Sequence, residues 1–214
     1  MKGVAAAASF AMLGFAGTAS AQVLFDVGAV VMGSANAGST AATYIAPDGT
    51  SVPQFTLDKS IAPAVGVNGH VSFRFTSRAA LELSARWARA EFRTRLGGDT
   101  DGADNATATQ SVDRFVVGGG VRVDLKQLGR WHTFGRASAG WLRELSDDLS
   151  LYEDGWVAEI GGGADFRWAE KRGHFRPYGI RTDVWLEARH GGLSFTEKSR
   201  LWSPAVAVAV IFKL

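Results

Sequence analysis

The sequence predicts an all-β chain, an eight-stranded antiparallel up-and-down barrel that crosses a membrane. Three observations carry this prediction. In the closing stretch Trp202–Leu214, Val206, Val208, Val210, Phe212 and Leu214 fall on one face, and Ala205, Ala207, Ala209 and Lys213 fall on the other. A strand buried on both faces would be bulky on both, and a sandwich strand would turn polar residues to water. Bulk outward and alanine inward suits the wall of a narrow closed barrel in lipid. Second, the same period-two alternation recurs along the chain, broken by short turns and longer polar loops in strict exchange. Third, no later run of 18 apolar residues offers a membrane-spanning helix.

The chain has 214 residues, no cysteine and a formal net charge of +2. Lys2, the apolar run Val4–Phe15 and Ala19-Ser20-Ala21 have the order of a cleaved signal peptide, which assigns residues 1–21 to export and 22–214 to the barrel domain. An exported chain without cysteine has no disulfides to lean on. A near-neutral charge gives no reason to expect a nucleic-acid partner.

The strands follow in order. Strand one, about Val23–Ser34, sets Phe25, Val27, Ala29 and Val31 against Asp26 and Gly28. A long Ala/Gly/Ser/Thr/Asn loop with Pro47-Asp48-Gly49 is expected next. Strand two, about Ile61–Phe75, sets Val65, Val67, Val71, Phe73 and Phe75 against Asn68, His70, Ser72 and Arg74. After Thr76-Ser77-Arg78, strand three (about Ala79–Arg93) opposes Leu81, Leu83, Ala85 and Trp87 to Glu82, Ser84 and Arg86. A polar loop is expected over Gly97–Gln110. Strand four (Val112–Leu125) sets Phe115, Val117, Val121 and Val123 against Arg114, Gly118, Gly120, Arg122 and Asp124. Strand five (about Thr133–Leu145) sets Ala137, Ala139 and Trp141 against Arg136, Ser138 and Glu144. Strand six (Gly155–Trp168) sets Trp156, Ile160, Phe166 and Trp168 against Val157, Glu159, Asp165 and Arg167. Strand seven sets Tyr178, Ile180, Val184 and Leu186 against Arg181, Asp183, Trp185 and Glu187, and strand eight closes the set.

The inward rows define a lumen network of Arg74, Arg86, Arg122, Arg136 and Arg181 with Glu82, Asp124, Glu159, Asp165, Asp183 and Glu187. An eight-stranded lumen is just filled by side chains, so such charges must pair, and arginine's planar fork suits carboxylates. With both termini periplasmic, Phe25, Phe73, Phe75, Phe166, Trp168, Tyr178 and Phe212 form one interfacial girdle, and Trp87, Trp141, Trp156 and Trp202 form the other. Two positions beyond Trp87 and Trp141, Arg89 and Arg143 stand at the height of lipopolysaccharide phosphates.

The signal peptide, the eight alternating strands, the short-turn/long-loop asymmetry and the terminal V-A-V-A-V-I-F-K-L resemble the small outer-membrane β-barrel superfamily of the OmpA-membrane-domain and OmpX type. The resemblance implies an outer-membrane location, a monomer, contact with lipid and lipopolysaccharide, and a last strand read by the barrel-assembly machinery. Such a strand usually ends in an aromatic residue, whereas this one ends Lys213-Leu214 after Phe212. Chemistry-bearing motifs are thin. His190 near Glu187 and Ser194 does not match the H-x-S-N pattern of barrel-type lipid A deacylases, and Asp99–Asn105 lacks the closing Glu of a calcium loop. No catalytic, cofactor or metal residue is assigned. The expected function is a non-enzymatic wall whose extracellular loops make surface contacts. The alternatives are a narrow channel for small or hydrophobic solutes and a lipid A-modifying enzyme.

Overall fold

Valine, leucine, phenylalanine and tryptophan at every second position favour extended backbone, and the computed structural model forms ten strands from that pattern. It describes residues 23–98, 106–147, 152–168, 176–192 and 201–213. The expected signal peptide, the acidic stretch 99–105, Ser194 and Leu214 lie outside the described residues. In chain order the strands are β1 (Val23–Met32), β2 (Ala35–Ile45), β3 (Ser51–Ile61), β4 (Ala64–Arg74), β5 (Ala79–Gly97), β6 (Ala106–Leu128), β7 (Trp131–Ser146), β8 (Tyr152–Arg167), β9 (Arg176–Gly191) and β10 (Leu201–Lys213). Every ladder is antiparallel.

Eight of the strands close a ring, β1-β4-β5-β6-β7-β8-β9-β10 and back to β1, with Val30 opposite Ala207 in the closing pair. The other two, β2 and β3, correct the expected irregular loop: they continue the first hairpin above the ring. Breaks at Gly33-Ser34 and at Ala62-Pro63 sit opposite each other, between the Met32–Ala64 and Ala35–Ile61 pairs. Pro63 has no N–H to give a ladder. Above the breaks, β3 pairs with the end of β5 from Ile61–Phe92 to Thr56–Gly97, and β5 pairs with β6 as far as Leu96–Ala106. The expected polar loop Gly97–Gln110 is shorter for the same reason, since its last five residues are strand.

On the other side β2 parts from β10. The Gly33 amide donates to the Pro204 carbonyl at 2.7 Å, but Pro204 has no amide with which to answer, and the β1–β10 ladder stops there. A path across the strands from Val23 runs through Phe73, Leu81, Val121, Ala137, Ile160, Leu186 and Pro204 and returns to β1 at Gly33. That ten-residue stagger between positions 23 and 33 tilts the strands and fixes the barrel's width. At the opposite end the connections are tight. Gly129, at φ +63°, completes the turn between β6 and β7 in a backbone conformation that other residues adopt at a cost.

The two faces separate cleanly. Val65, Val117, Ile160, Val184 and Val208 are exposed on the outside, while Val30, Leu142, Val157 and Ala207 are buried inside. The interior is layered. Near the turns it is charged; toward the long-strand end, Val30, Met32, Ala64, Ala88, Ala90 and Ala205 pack around the Trp185 ring, and Val116, Leu142 and Val157 form a second apolar group.

Candidate functional site

Inward rows from seven of the ring strands meet in one charged column, and β10 lines it with Ala205, Ala207, Ala209 and Ile211. Arg181 is its hub at the turn end: Nη1 donates to Glu82 Oε1 at 2.7 Å and to Asp26 Oδ2 at 3.1 Å, and Nε donates to Asp183 Oδ2 at 2.7 Å. Arg122 donates to Asp165 at 2.6 Å and to Asp124 at 3.0 Å. Both guanidiniums lie over the Phe134 ring, at 3.8 Å for Arg122 and 4.6 Å for Arg181, which adds a cation–π attraction inside the wall. Phe134 has room because Gly163 faces it: a Cβ there would meet the ring at 2.8 Å and the Thr182 carbonyl at 2.0 Å. His70 joins the column, with Nδ1 2.7 Å from Asp26 and Nε2 2.8 Å from Arg136. Arginine only donates, so Nε2 accepts and the ring proton sits on Nδ1, facing the carboxylate.

One layer up, Arg86 bonds Glu159 at 2.7 Å and also Glu187, while Arg136 reaches the other Glu159 oxygen at 3.0 Å. Trp185 lies between the two arginines, 5.6 Å from Arg86 and 4.6 Å from Arg136. Above them Arg114 sits between Glu187 at 2.8 Å and Glu144 at 2.9 Å, and Arg189 also pairs with Glu144. Arg74 is less enclosed; it closes the turn end by bonding Asp124 at 2.5 Å and the Ser77 carbonyl at 3.0 Å. All eleven residues of the predicted lumen network therefore turn inward, and each has a partner of opposite charge. Arg189 and Phe134 are not singled out by the sequence reading. The signal was present: Arg189 is two positions past Glu187, and Phe134 two before Arg136.

Among the described residues the lumen keeps little space. Two voids of about 10 Å³ each lie in its upper part, one under Ile61, Ala90, Phe92 and Val112 and the other beside Ala64, Leu201 and Ser203. This is about the room of a single water. The arrangement holds charge in fixed pairs. Of the considered His190/Glu187/Ser194 set, Glu187 is buried in the lumen while His190 is exposed, its ring 5.5 Å from that of Trp156.

On the outside the aromatics gather at two levels. Trp87, Trp141, Trp156 and Trp202 are exposed toward the long-strand end. The register sets Phe115 opposite Trp87 and Trp156 opposite Trp141. At the turn end Phe166, Trp168, Tyr178 and Phe212 are half-buried. Phe212 packs on Phe25 at 6.1 Å, Phe166 on Trp131 at 5.0 Å, and the Trp168 indole N–H donates to the Pro177 carbonyl at 2.6 Å. Arg89 and Arg143 both stand at the upper level, but neither is a bare cation. Arg89 bonds Asp147 at 2.5 Å. Arg143 grips both oxygens of Asp154 at 2.8 and 2.9 Å and lies over the Trp141 and Tyr152 rings.

No family model and no curated protein matches the chain. Solved structures do. The outer membrane protein OprG from Pseudomonas aeruginosa aligns at 9% identity and a TM-score of 0.52, over 91% of this chain and 96% of its own. The attachment invasion locus protein Ail of Yersinia pestis aligns at 13% identity and a TM-score of 0.39, over 90% of this chain and 99% of its own. At such identities the likeness to OprG speaks for architecture alone: this chain has the fold of a small outer-membrane β-barrel.

Proposed function

We propose that the chain is a non-enzymatic outer-membrane protein whose barrel is a structural wall and whose extracellular part makes surface contacts. Residues 1–21 direct export, and the last strand presents Phe212 to the barrel-assembly machinery. The observation that carries the reading is the packed lumen among the described residues: a column of paired arginines and carboxylates capped by apolar side chains, with two voids each about the size of a water. Such an interior supports the barrel and leaves solutes no path, so the contacts fall to the part beyond the lipid. There β2, β3, the end of β5 and the start of β6 continue the wall as a four-stranded sheet. Its tip exposes Tyr44, Ile45 and Val52. Arg89 and Arg143, each already holding a carboxylate, contribute to lipopolysaccharide through the remaining donors of their guanidiniums. Planar-bilayer recording of the refolded protein tests the wall: no unitary conductance is expected, and discrete channel steps would overturn it. Cysteines at Thr43 and Ala108 should be labelled by membrane-impermeant reagents from outside intact cells, whereas labelling only after the outer membrane is opened would reverse the orientation.

A further inference from the structure

At the turn end the barrel mouth holds a cleft of about 330 Å³, lined by Arg74, Ser77, Arg78, Asp124, Lys126, His132 and Arg167, with Leu125 on its rim. Its charge is lopsided. Asp124 is the single carboxylate in the lining, and its two oxygens are taken by Arg74 at 2.5 Å and Arg122 at 3.0 Å. Arg167 gives one Nη to Asp165 at 2.8 Å, but its Nε, buried with the rest of a side chain only 10% exposed, has no partner. Among the described residues neither the Arg78 nor the Lys126 side chain has an acidic partner.

Uncompensated guanidinium and ammonium groups around a concave polar surface suit a phosphate, which accepts several charge-assisted bonds at once. The cleft is also edged by grease. Leu125 is 69% exposed and begins the outward row Leu125, Val123, Val121, and Phe75 is 57% exposed on the neighbouring connection. A free phosphate has no use for that row; a lipid with its phosphate in the cleft and its chains along β6 uses both. We propose that this cleft binds the phosphate of an anionic phospholipid, with Arg78, Lys126 and Arg167 as the holding cations. The inference rests on the barrel lying in a membrane but not on what its opposite end contacts.

Native mass spectrometry of the refolded protein tests it, from zwitterionic micelles doped with equal amounts of phosphatidylglycerol and phosphatidylcholine. Phosphatidylglycerol should be retained in preference. Retention should fall roughly fivefold for each cation removed in Arg78→Ala and Lys126→Ala, the size expected of one basic group near a lipid phosphate. The charge-conserving pair Arg78→Lys and Lys126→Arg should retain it. Both side chains are exposed, Arg78 in the β4–β5 connection and Lys126 near the end of β6, and the heat-modifiable gel shift checks that each variant is folded. Equal retention of the two lipids overturns the proposal, as does phosphatidylglycerol retention untouched by the double alanine variant. A third arm adds inorganic phosphate alone, and its retention with no lipid preference would assign the cleft to the free ion instead. None of these outcomes depends on whether the barrel conducts or on which end faces the cell exterior.

Discussion

The turn-end and long-strand halves of the lumen fill the same cylinder by different means. Near the turns Arg181 and Arg122 share Glu82, Asp26, Asp183, Asp165 and Asp124, so that every charge but Asp183 answers to two or three others. Toward the other end Val30, Met32, Ala64, Ala88, Ala90 and Ala205 pack as an ordinary apolar core, and the charges shrink to Arg114, Glu144, Glu187 and Arg189. A charged network demands geometry: any missing member leaves its neighbours buried and unpaired. An apolar core demands volume and forgives chemistry of the same size. One barrel therefore contains two kinds of specification, and substitutions distinguish them.

The largest effect belongs to the hub. Arg181→Met should lower unfolding stability in urea, measured in lipid vesicles, by about 3–5 kcal/mol or more, since three carboxylates lose their shared cation. A loss below about 0.5 kcal/mol would mean that water reaches the network and screens it. In the apolar half, Ala207 is buried at 2% exposure, and Ala207→Leu should cost roughly 1–3 kcal/mol by overpacking. If Val208→Leu, on the lipid face, cost as much in the same assay, packing inside the ring would not be the cause.

A third substitution sharpens the contrast. Arg114→Met, Glu144→Leu and Arg189→Leu together replace the upper charges while Glu187 keeps Arg86. With Met32, Ile61 and Val112 beside them, the triple variant should change stability by less than about 1 kcal/mol, because apolar replacement of a whole buried ion cluster is often neutral. A loss as large as that of Arg181→Met would show that both halves depend on charge. The smallest effect lies beyond the ring, at the tip joining β2 to β3. The Thr50 hydroxyl, at 2.6 Å, and the Thr50 amide, at 2.9 Å, both donate to Asp48 and hold its carboxyl below the usual aspartate range. A lowered acid stabilises the tip above its unfolded pKa and loses that contribution as pH falls through the folded one. Carboxyl NMR titration should place Asp48 low and return it toward normal in Thr50→Val, with no change in global unfolding.

The faces of the strands are legible in the sequence because a pleat repeats every two residues and the lipid and lumen sides want different chemistry. Asp26, Glu82, Arg122 and Arg181 could be turned inward from that alternation before any contact was known. Where strands continue beyond the lipid the contrast fades. In β2 an irregularity at Ala37–Gly38 breaks the period; beyond it Ser39, Ala41 and Thr43 share the exposed face with only Thr40 and Ala42 opposite until Tyr44, and the stretch reads as a loop. In β3, Phe55, Leu57 and Ile61 keep the period, but Pro53 and Lys59 blur it. Which carboxylate answers which arginine is not legible at all. Arg86 finds Glu187 across 101 positions of sequence, a pairing set by strand stagger rather than by spacing along the chain. The phosphate cleft is hidden for a similar reason, since Arg78, Lys126 and Arg167 come from three separate parts of the chain and meet only at the mouth.

The ladder between β1 and β10 gives the barrel a hazard that exists in time rather than in space. Leu24 faces Lys213 and Met32 faces Ala205, so the wall is sealed by its most distant partners. Loop-closure entropy opposes that contact until the other strands have already been drawn together. Until then, the long uncharged edge Pro204–Phe212 and its counterpart on β1 stand open with their hydrogen bonds unmet. Few charges and dense valine make each a template for the wrong neighbour. The finished ring has no such edge at membrane level, and the chain is in danger only while the circle is incomplete.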